Sequence, residues 1–199
     1  MKVGMIFECG PDGADKKVCE HLARRLSPDI ETSSATLDNK PELISECGNT
    51  AASLLSEGCK RIVIVWDLYP PWRGKGDKPC RKEDREIIAK SLLEAGVTSP
   101  NVYLVCIEEE LEAWLLADGR AISQHLSTAA HKVKVKDRKN VERVNNPKGE
   151  LRKLFKEVGK DYIDTIHAHK IIKELPDLTR IRKCATFIRF AVKAAGINP

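Results

Sequence analysis

Arg61-Ile62-Val63-Ile64-Val65-Trp66-Asp67 decides the fold. Five apolar residues in a row, from Ile62 to Trp66, are mostly β-branched or aromatic and end abruptly on an acid. A continuous apolar run of that length reads as a strand buried on both faces, as strands are in a parallel sheet. Two other segments have the same form. Lys2-Val3-Gly4-Met5-Ile6-Phe7 ends at Glu8, and Asn101-Val102-Tyr103-Leu104-Val105-Cys106-Ile107 runs into Glu108-Glu109-Glu110-Leu111-Glu112. A weaker strand, rich in Ser and Thr, is expected over 30–37. Between the strands, helices are expected over 14–26, where Val18, Leu22 and Leu26 recur every fourth residue, over 41–56 behind Pro41, and over 82–95 before Gly96. Strands alternating with helices in this way predict an α/β fold, a parallel sheet with helices on both faces.

In an open parallel sheet, ligands bind outside the carboxyl ends of the strands. Each strong strand here ends on or beside an acid. Carboxylates gathered at one edge repel each other unless a cation lies between them. Mg²⁺ suits that role, because it takes oxygen ligands while keeping several waters. The pattern therefore predicts a Mg²⁺ site, with Mn²⁺ as a substitute, used for phosphate chemistry.

The 199 residues are enough for one domain, or one domain with an extension. No apolar run approaches the ~18 residues of a membrane span, so no membrane partner is expected. Glu8 interrupts the amino-terminal run too early for a secretory leader. The seven cysteines are odd in number and form no C-x-x-C pair. This argues against a disulfide framework or a structural zinc site, and the reduced thiols of a cytoplasmic protein are expected.

Charge divides the chain. Residues 1–129 hold 16 Lys and Arg against 21 Asp and Glu, a net of −5; residues 130–199 hold 18 against 8, a net of +10. An acidic α/β module followed by a basic extension predicts a polyanionic partner, nucleic acid, with a solvated helical face as the alternative. Segment 131–146 carries six Lys and Arg, among them Lys132, Lys134 and Lys136, and little apolar content, so a mobile loop is expected there. Helices are expected at 147–158, 161–174 and 177–195. Lys148, Lys170 and Arg182 are the candidate phosphate contacts of this extension, since phosphate contacts need no base reading. Trp72, among Arg73, Lys75 and Lys78, could stack on a base or cap its loop on the core.

Glu8 is followed by Cys9-Gly10-Pro11-Asp12-Gly13, a glycine turn that lets backbone approach a ligand and leads into a helix whose first N–H groups can receive an anion. Glu110 and Glu112 stand two apart and would point about 200° away from each other on a regular helix. Either Glu110 precedes the helix or only one of the pair is a ligand. Leu111, Trp114 and Leu115 form an apolar stripe that reads as core.

Glu8 with Gly10 after the first strand, Asp67 after a central strand and a later acidic cluster resemble the Toprim module of topoisomerases, primases and overcoming-lysogenization-defect nucleases. More narrowly, Glu110-Leu111-Glu112-Ala113-Trp114-Leu115-Leu116-Ala117-Asp118 resembles the hallmark of a short stand-alone Toprim-like family of uncharacterised proteins. Pro147-Lys148, Tyr162, His169-Lys170 and the stretch from Arg182 to Phe187 are similar to that family's tail. The resemblance implies a Mg²⁺-dependent nuclease or related phosphoryl-transfer enzyme acting on nucleic acid. Glu8, Asp67 and Glu112 would be catalytic, and Glu8, Asp67, Glu110 and Glu112 would supply the metal ligands. By analogy with Toprim nucleases, a separate ATPase is a possible partner, since the chain has no Walker motif of its own. One departure stands out: Toprim modules usually place a second Asp two residues after the first, where this chain has Tyr69. A phenol is a poor Mg²⁺ ligand. The alternative is therefore a non-catalytic nucleic-acid-binding or defence-complex subunit with a degenerate site.

Overall fold

The computed structural model describes residues 1–69, 78–108 and 110–197. Its centre is a four-stranded, wholly parallel sheet made of β1 (Lys2–Phe7), β2 (Glu31–Thr36), β3 (Arg61–Asp67) and β4 (Val102–Ile107), in the order β2-β1-β3-β4. The chain steps from β1 outward to β2, then returns past β1 to β3. Crossovers of one hand must then put the first connecting helix on one face and the next two on the other. The helices follow suit: α1 (Ala14–Leu26) shares a core with Val3, Met5, Phe7, Val63 and Val65, whereas α2 (Lys40–Ser56) and α3 (Arg81–Glu94) pack with Ile6, Ile62, Ile64 and Trp66. Those two sets alternate along β1 and β3 because successive strand side chains point to opposite faces. Burial on both faces is why the strand sequences are continuously apolar. The edge strand β2, with its Ser and Thr, is only partly buried and follows a different composition for that reason.

The remaining elements cover the α1 face. They are α4 (Glu112–Leu116), α5 (Gly119–Leu126), α6 (Pro147–Lys156), α7 (Asp164–Lys173) and α8 (Ala185–Ala195). Leu151, Phe155, Ile171, Ile172, Phe187 and Phe190 lie in the same core as Val63 and Trp114. The compositional boundary near residue 130 is therefore not a boundary in packing. Trp114 ties the two parts together, packing edge-on against Phe187 and donating from Nε1 to Thr186 Oγ1 at 2.8 Å.

Two expected elements differ. The helix expected over 177–195 is a short 3-10 turn at Ile181–Lys183, a break at Cys184 and then α8. The break has a cause: Glu142 accepts hydrogen bonds from the Ala185 and Thr186 N–H groups and from the Thr186 hydroxyl, capping a new helix there. The stretch expected to be a mobile loop is an extended strap. Val133 and Val135 turn inward onto the core, while Lys132, Lys134 and Lys136 face outward. The Val133 N–H donates to Ser127 Oγ at 2.9 Å and the Val135 N–H to Ser123 Oγ at 2.8 Å. The alternation of Lys and Val is a period-2 pattern hidden by its high charge.

Candidate active site

The sheet order makes the gap between β1 and β3 the point where the connections diverge, and a crevice outside the carboxyl ends is expected there. Glu8 leaves β1 and Asp67 ends β3 on the two sides of this gap, where Phe7 pairs with Val65. A cleft of about 460 Å³ opens over it, lined by residues 9–15, Asp67, Glu112, Lys148, Asp164 and Thr165.

The turn from Cys9 to Gly13 closes with the Gly13 N–H donating to Gly10 O at 2.8 Å. A side chain at Gly13 would collide with Cys9 Sγ and Gly10 O, so only glycine allows the turn to be this tight. It delivers the first turn of α1 to the cleft and places Asp15 there.

Asp67 Oδ1 and Glu8 Oε2 are both buried and lack a hydrogen-bond partner. Lys40 Nζ comes no nearer to Glu8 Oε2 than 4.0 Å, and it also donates to Leu68 O at 3.1 Å. Burial pushes the Glu8 carboxyl up to about 8, partly offset by Lys40. It also pushes Asp67 well above the usual carboxylate range, and the neighbouring charges of Asp15, Glu8 and Glu112 add to the rise. Asp15 is raised to about 6, again by burial, with Lys148 opposing.

Glu110 and Glu112 are handled differently. The helix starts at Glu112, so Glu110 precedes it and the two need not diverge. Glu110 Oε2 accepts the Lys148 backbone N–H at 2.9 Å. Glu112, only 3% exposed, accepts from the Tyr162 hydroxyl at 3.1 Å and lies 3.8 Å from Lys148 Nζ. Its carboxyl is raised to about 7, by burial against the pull of Lys148. Glu108, by contrast, points away into a pair of arginines, with Arg81 at 2.9 Å and Arg189 at 2.7 Å.

Lys148 lies in this cleft. Its Nζ donates to Asp164 Oδ2 at 2.8 Å, and it is the only cationic side chain among the described residues lining the cleft. Burial alone would lower it, but Glu112 and Asp164 carry it above the ordinary lysine value. Lys170 and Arg182 are exposed and do not line the cleft, so the three tail residues read together from the sequence are not brought together there. Trp72, Arg73 and Lys75 lie outside the described residues, and Tyr69 is exposed at the surface.

Sequence reasoning missed Asp15 and Asp164. Both sit in the first turns of helices, where an acid normally reads as a dipole complement. Tyr162, named from the sequence only as part of the tail pattern, is buried against Phe155 and donates its hydroxyl to Glu112.

The match that places the chain in a family spans residues 12–193. It belongs to the family described as a domain of unknown function (DUF4276). No curated protein and no solved structure matches it. Within the matched span fall Asp67, Glu110, Glu112 and Lys148; Glu8 lies just before it.

The fit of this site to a divalent cation rests on the donor set. Among the described residues, no three His, Cys, Asp or Glu side chains are clustered closely enough to hold a metal alone. Glu8 and Asp67 nevertheless leave two orphaned buried oxygens beside the cleft. Mg²⁺ is commonly held by one or two carboxylates, several waters and substrate phosphate, and does not require a complete protein cage. The residues present fit that mode.

Proposed function

We propose that this chain is a Mg²⁺-dependent phosphoryl-transfer enzyme, a nuclease acting on nucleic acid, with its site in the cleft between β1 and β3. One observation carries the reading: Asp67 Oδ1 and Glu8 Oε2, at adjacent carboxyl ends of a parallel sheet, are buried without a hydrogen-bond partner at a cleft rich in carboxylates. A buried carboxylate oxygen without a hydrogen bond is costly, and a cation relieves that cost. The Toprim resemblance of Glu8, Asp67 and the Glu110–Asp118 stretch supports the same assignment.

Asp67 and Glu8 would hold Mg²⁺, or Mn²⁺ in its place. The ion would polarise the scissile phosphate and stabilise the charge that develops on it. The remaining residues position the substrate. The amino end of α1, reached through the Gly10–Gly13 turn, offers N–H groups to a phosphate. Lys148 supplies positive charge in the cleft and is oriented by Asp164 and Glu112. Tyr162 and Lys148 hold Glu112 in place, so its role is that of a fixed acid beside the site.

The second reading, a nucleic-acid-binding or defence-complex subunit with a degenerate site, is favoured by Tyr69 in place of a second Asp and by the lack of a three-residue metal cluster among the described residues. Incubation with single- and double-stranded DNA and RNA, in Mg²⁺, Mn²⁺ or EDTA, separates the two. Cleavage that needs the metal and is lost in Asp67→Asn supports the enzyme. Binding without cleavage under every condition supports the subunit.

A further inference from the structure

A second concavity lies apart from the acidic cleft and is larger than it. It is a groove of about 1020 Å³ formed by the strap at 133–143, the start of α5 and the turn carrying Arg180 and Lys183. Eight of its lining residues are cationic: Arg120, Lys134, Lys136, Arg138, Lys139, Arg143, Arg180 and Lys183.

Their pairing divides them into two groups. Arg120 is held by Asp118 and Asp177, Arg180 by Asp118 and Asp137, and Arg138 by Glu150 at 2.9 Å. Lys134, Lys136, Lys139, Arg143 and Lys183 are exposed and make no ion pair among the described residues. The two acids that line the groove are already occupied. Asp137 accepts from the Gly119 N–H and from Arg180, and Glu142 caps α8. The groove therefore presents uncompensated positive charge on a fixed frame. The frame is the strap itself, pinned by the Ser123 and Ser127 hydroxyls, by its inward valines and by the Arg138 N–H donating to Leu116 O at 3.2 Å. This separates it from an ordinary solvated charge run, in which neither register nor spacing is set.

We infer that this groove binds the sugar-phosphate backbone of a nucleic-acid duplex. Five unpaired cations around a groove of about 1020 Å³ are more than one small anion can use and suit several phosphates. None of the described lining residues is aromatic, so base stacking, on which single-strand binders rely, has no platform there. Contacts confined to phosphates position a duplex without reading its sequence. Helix α6 borders both: Lys148 lines the cleft, and Glu150, on another side of the helix, anchors Arg138 of the strap. The inference rests on the nucleic-acid reading above, but its test does not depend on catalysis.

The test is fluorescence anisotropy with a short DNA duplex, its single strand, and the equivalent RNAs, across a salt series in EDTA. If each unpaired cation meets one phosphate, five contacts give a slope of about −4.5 in log K against log salt. The parent then loses several hundred-fold in affinity, on the order of 500-fold, between about 50 and about 200 mM salt. Replacing Lys134, Lys136, Arg143 and Lys183 together with Ala leaves one contact and a loss of about three- to fourfold over the same range. These side chains are exposed, and an unchanged melting temperature confirms the fold; Lys→Arg and Arg→Lys replacements at the same positions should retain binding. A quadruple variant that binds duplex as tightly as the parent overturns the inference. So does a parent that prefers the single strand, or one that binds poly-glutamate more tightly than duplex. Weak duplex binding by the variant, together with no metal-dependent cleavage by the parent, upholds the groove and removes the enzyme reading. Unchanged binding with intact cleavage does the reverse.

Discussion

Replacing Glu8 with Gln probes the acidic cleft without introducing a metal. The Glu8 side chain is 16% exposed, and its carboxyl is raised from 4.5 to about 8, mainly by burial and partly offset by Lys40. In the unfolded chain Glu8 loses its proton near its ordinary value, while in the fold it keeps the proton up to about pH 8. Below the unfolded pKa both states are protonated and its contribution to stability is fully present. As pH rises the folded state binds more protons than the unfolded one, so stability falls. The slope from this one group is about 1.4 kcal/mol per pH unit. The loss accumulates to about 3 kcal/mol at pH 7 and levels off above the folded value. Gln carries no such term. The assay is urea unfolding of parent and Glu8→Gln from pH 4.5 to 9 in EDTA. Near pH 4.5 the two should differ little, apart from the amide substitution itself. Toward pH 8 Glu8→Gln should become progressively more stable than the parent. Parallel pH profiles would mean that Glu8 is solvated and that the cleft does not strain its acids.

Lys148→Met leaves Glu112 and Asp164 facing each other without their cation; unfolding should show a loss of about 2–3 kcal/mol, less than a fully buried pair because Lys148 is 28% exposed. Lys170→Met, on an exposed site, should stay within about 0.5 kcal/mol of the parent in the same assay. Tyr162→Phe removes the hydroxyl that donates to Glu112 and should cost about 1–3 kcal/mol while leaving the far-ultraviolet spectrum unchanged.

Where burial on both faces imposes a long apolar run, the sequence and the fold agree closely. The strands ending at Phe7, Asp67 and Ile107 are legible for that reason, and so is α1, whose expected and observed span is Ala14–Leu26. Glu8 and Asp67 could be paired in advance, because the edge of a parallel sheet collects whatever follows its strands. What could not be read depends on contacts distant in sequence. Lys148 looks like one cation of a basic tail until Asp164 and Glu112 surround it. The strap at 133–143 has the composition of a disordered segment, and its order comes from serine hydroxyls on α5 and beyond and from two valines. The helix break at Cys184 comes from Glu142, some forty residues earlier, and no local signal announces it.

The central claim is that Glu8 and Asp67 form a divalent-cation site, and calorimetric titration of Mg²⁺ into the parent and Asp67→Asn tests it most directly. Above about pH 8, where Glu8 can ionise, the parent should bind Mg²⁺ and release protons as it does so, because the ion competes with the protons that the buried carboxyls retain. Asp67→Asn keeps the shape of the side chain and removes its charge, so binding should weaken by at least tenfold, about 1.4 kcal/mol. Equal Mg²⁺ binding by both proteins, or none by the parent, would contradict the account.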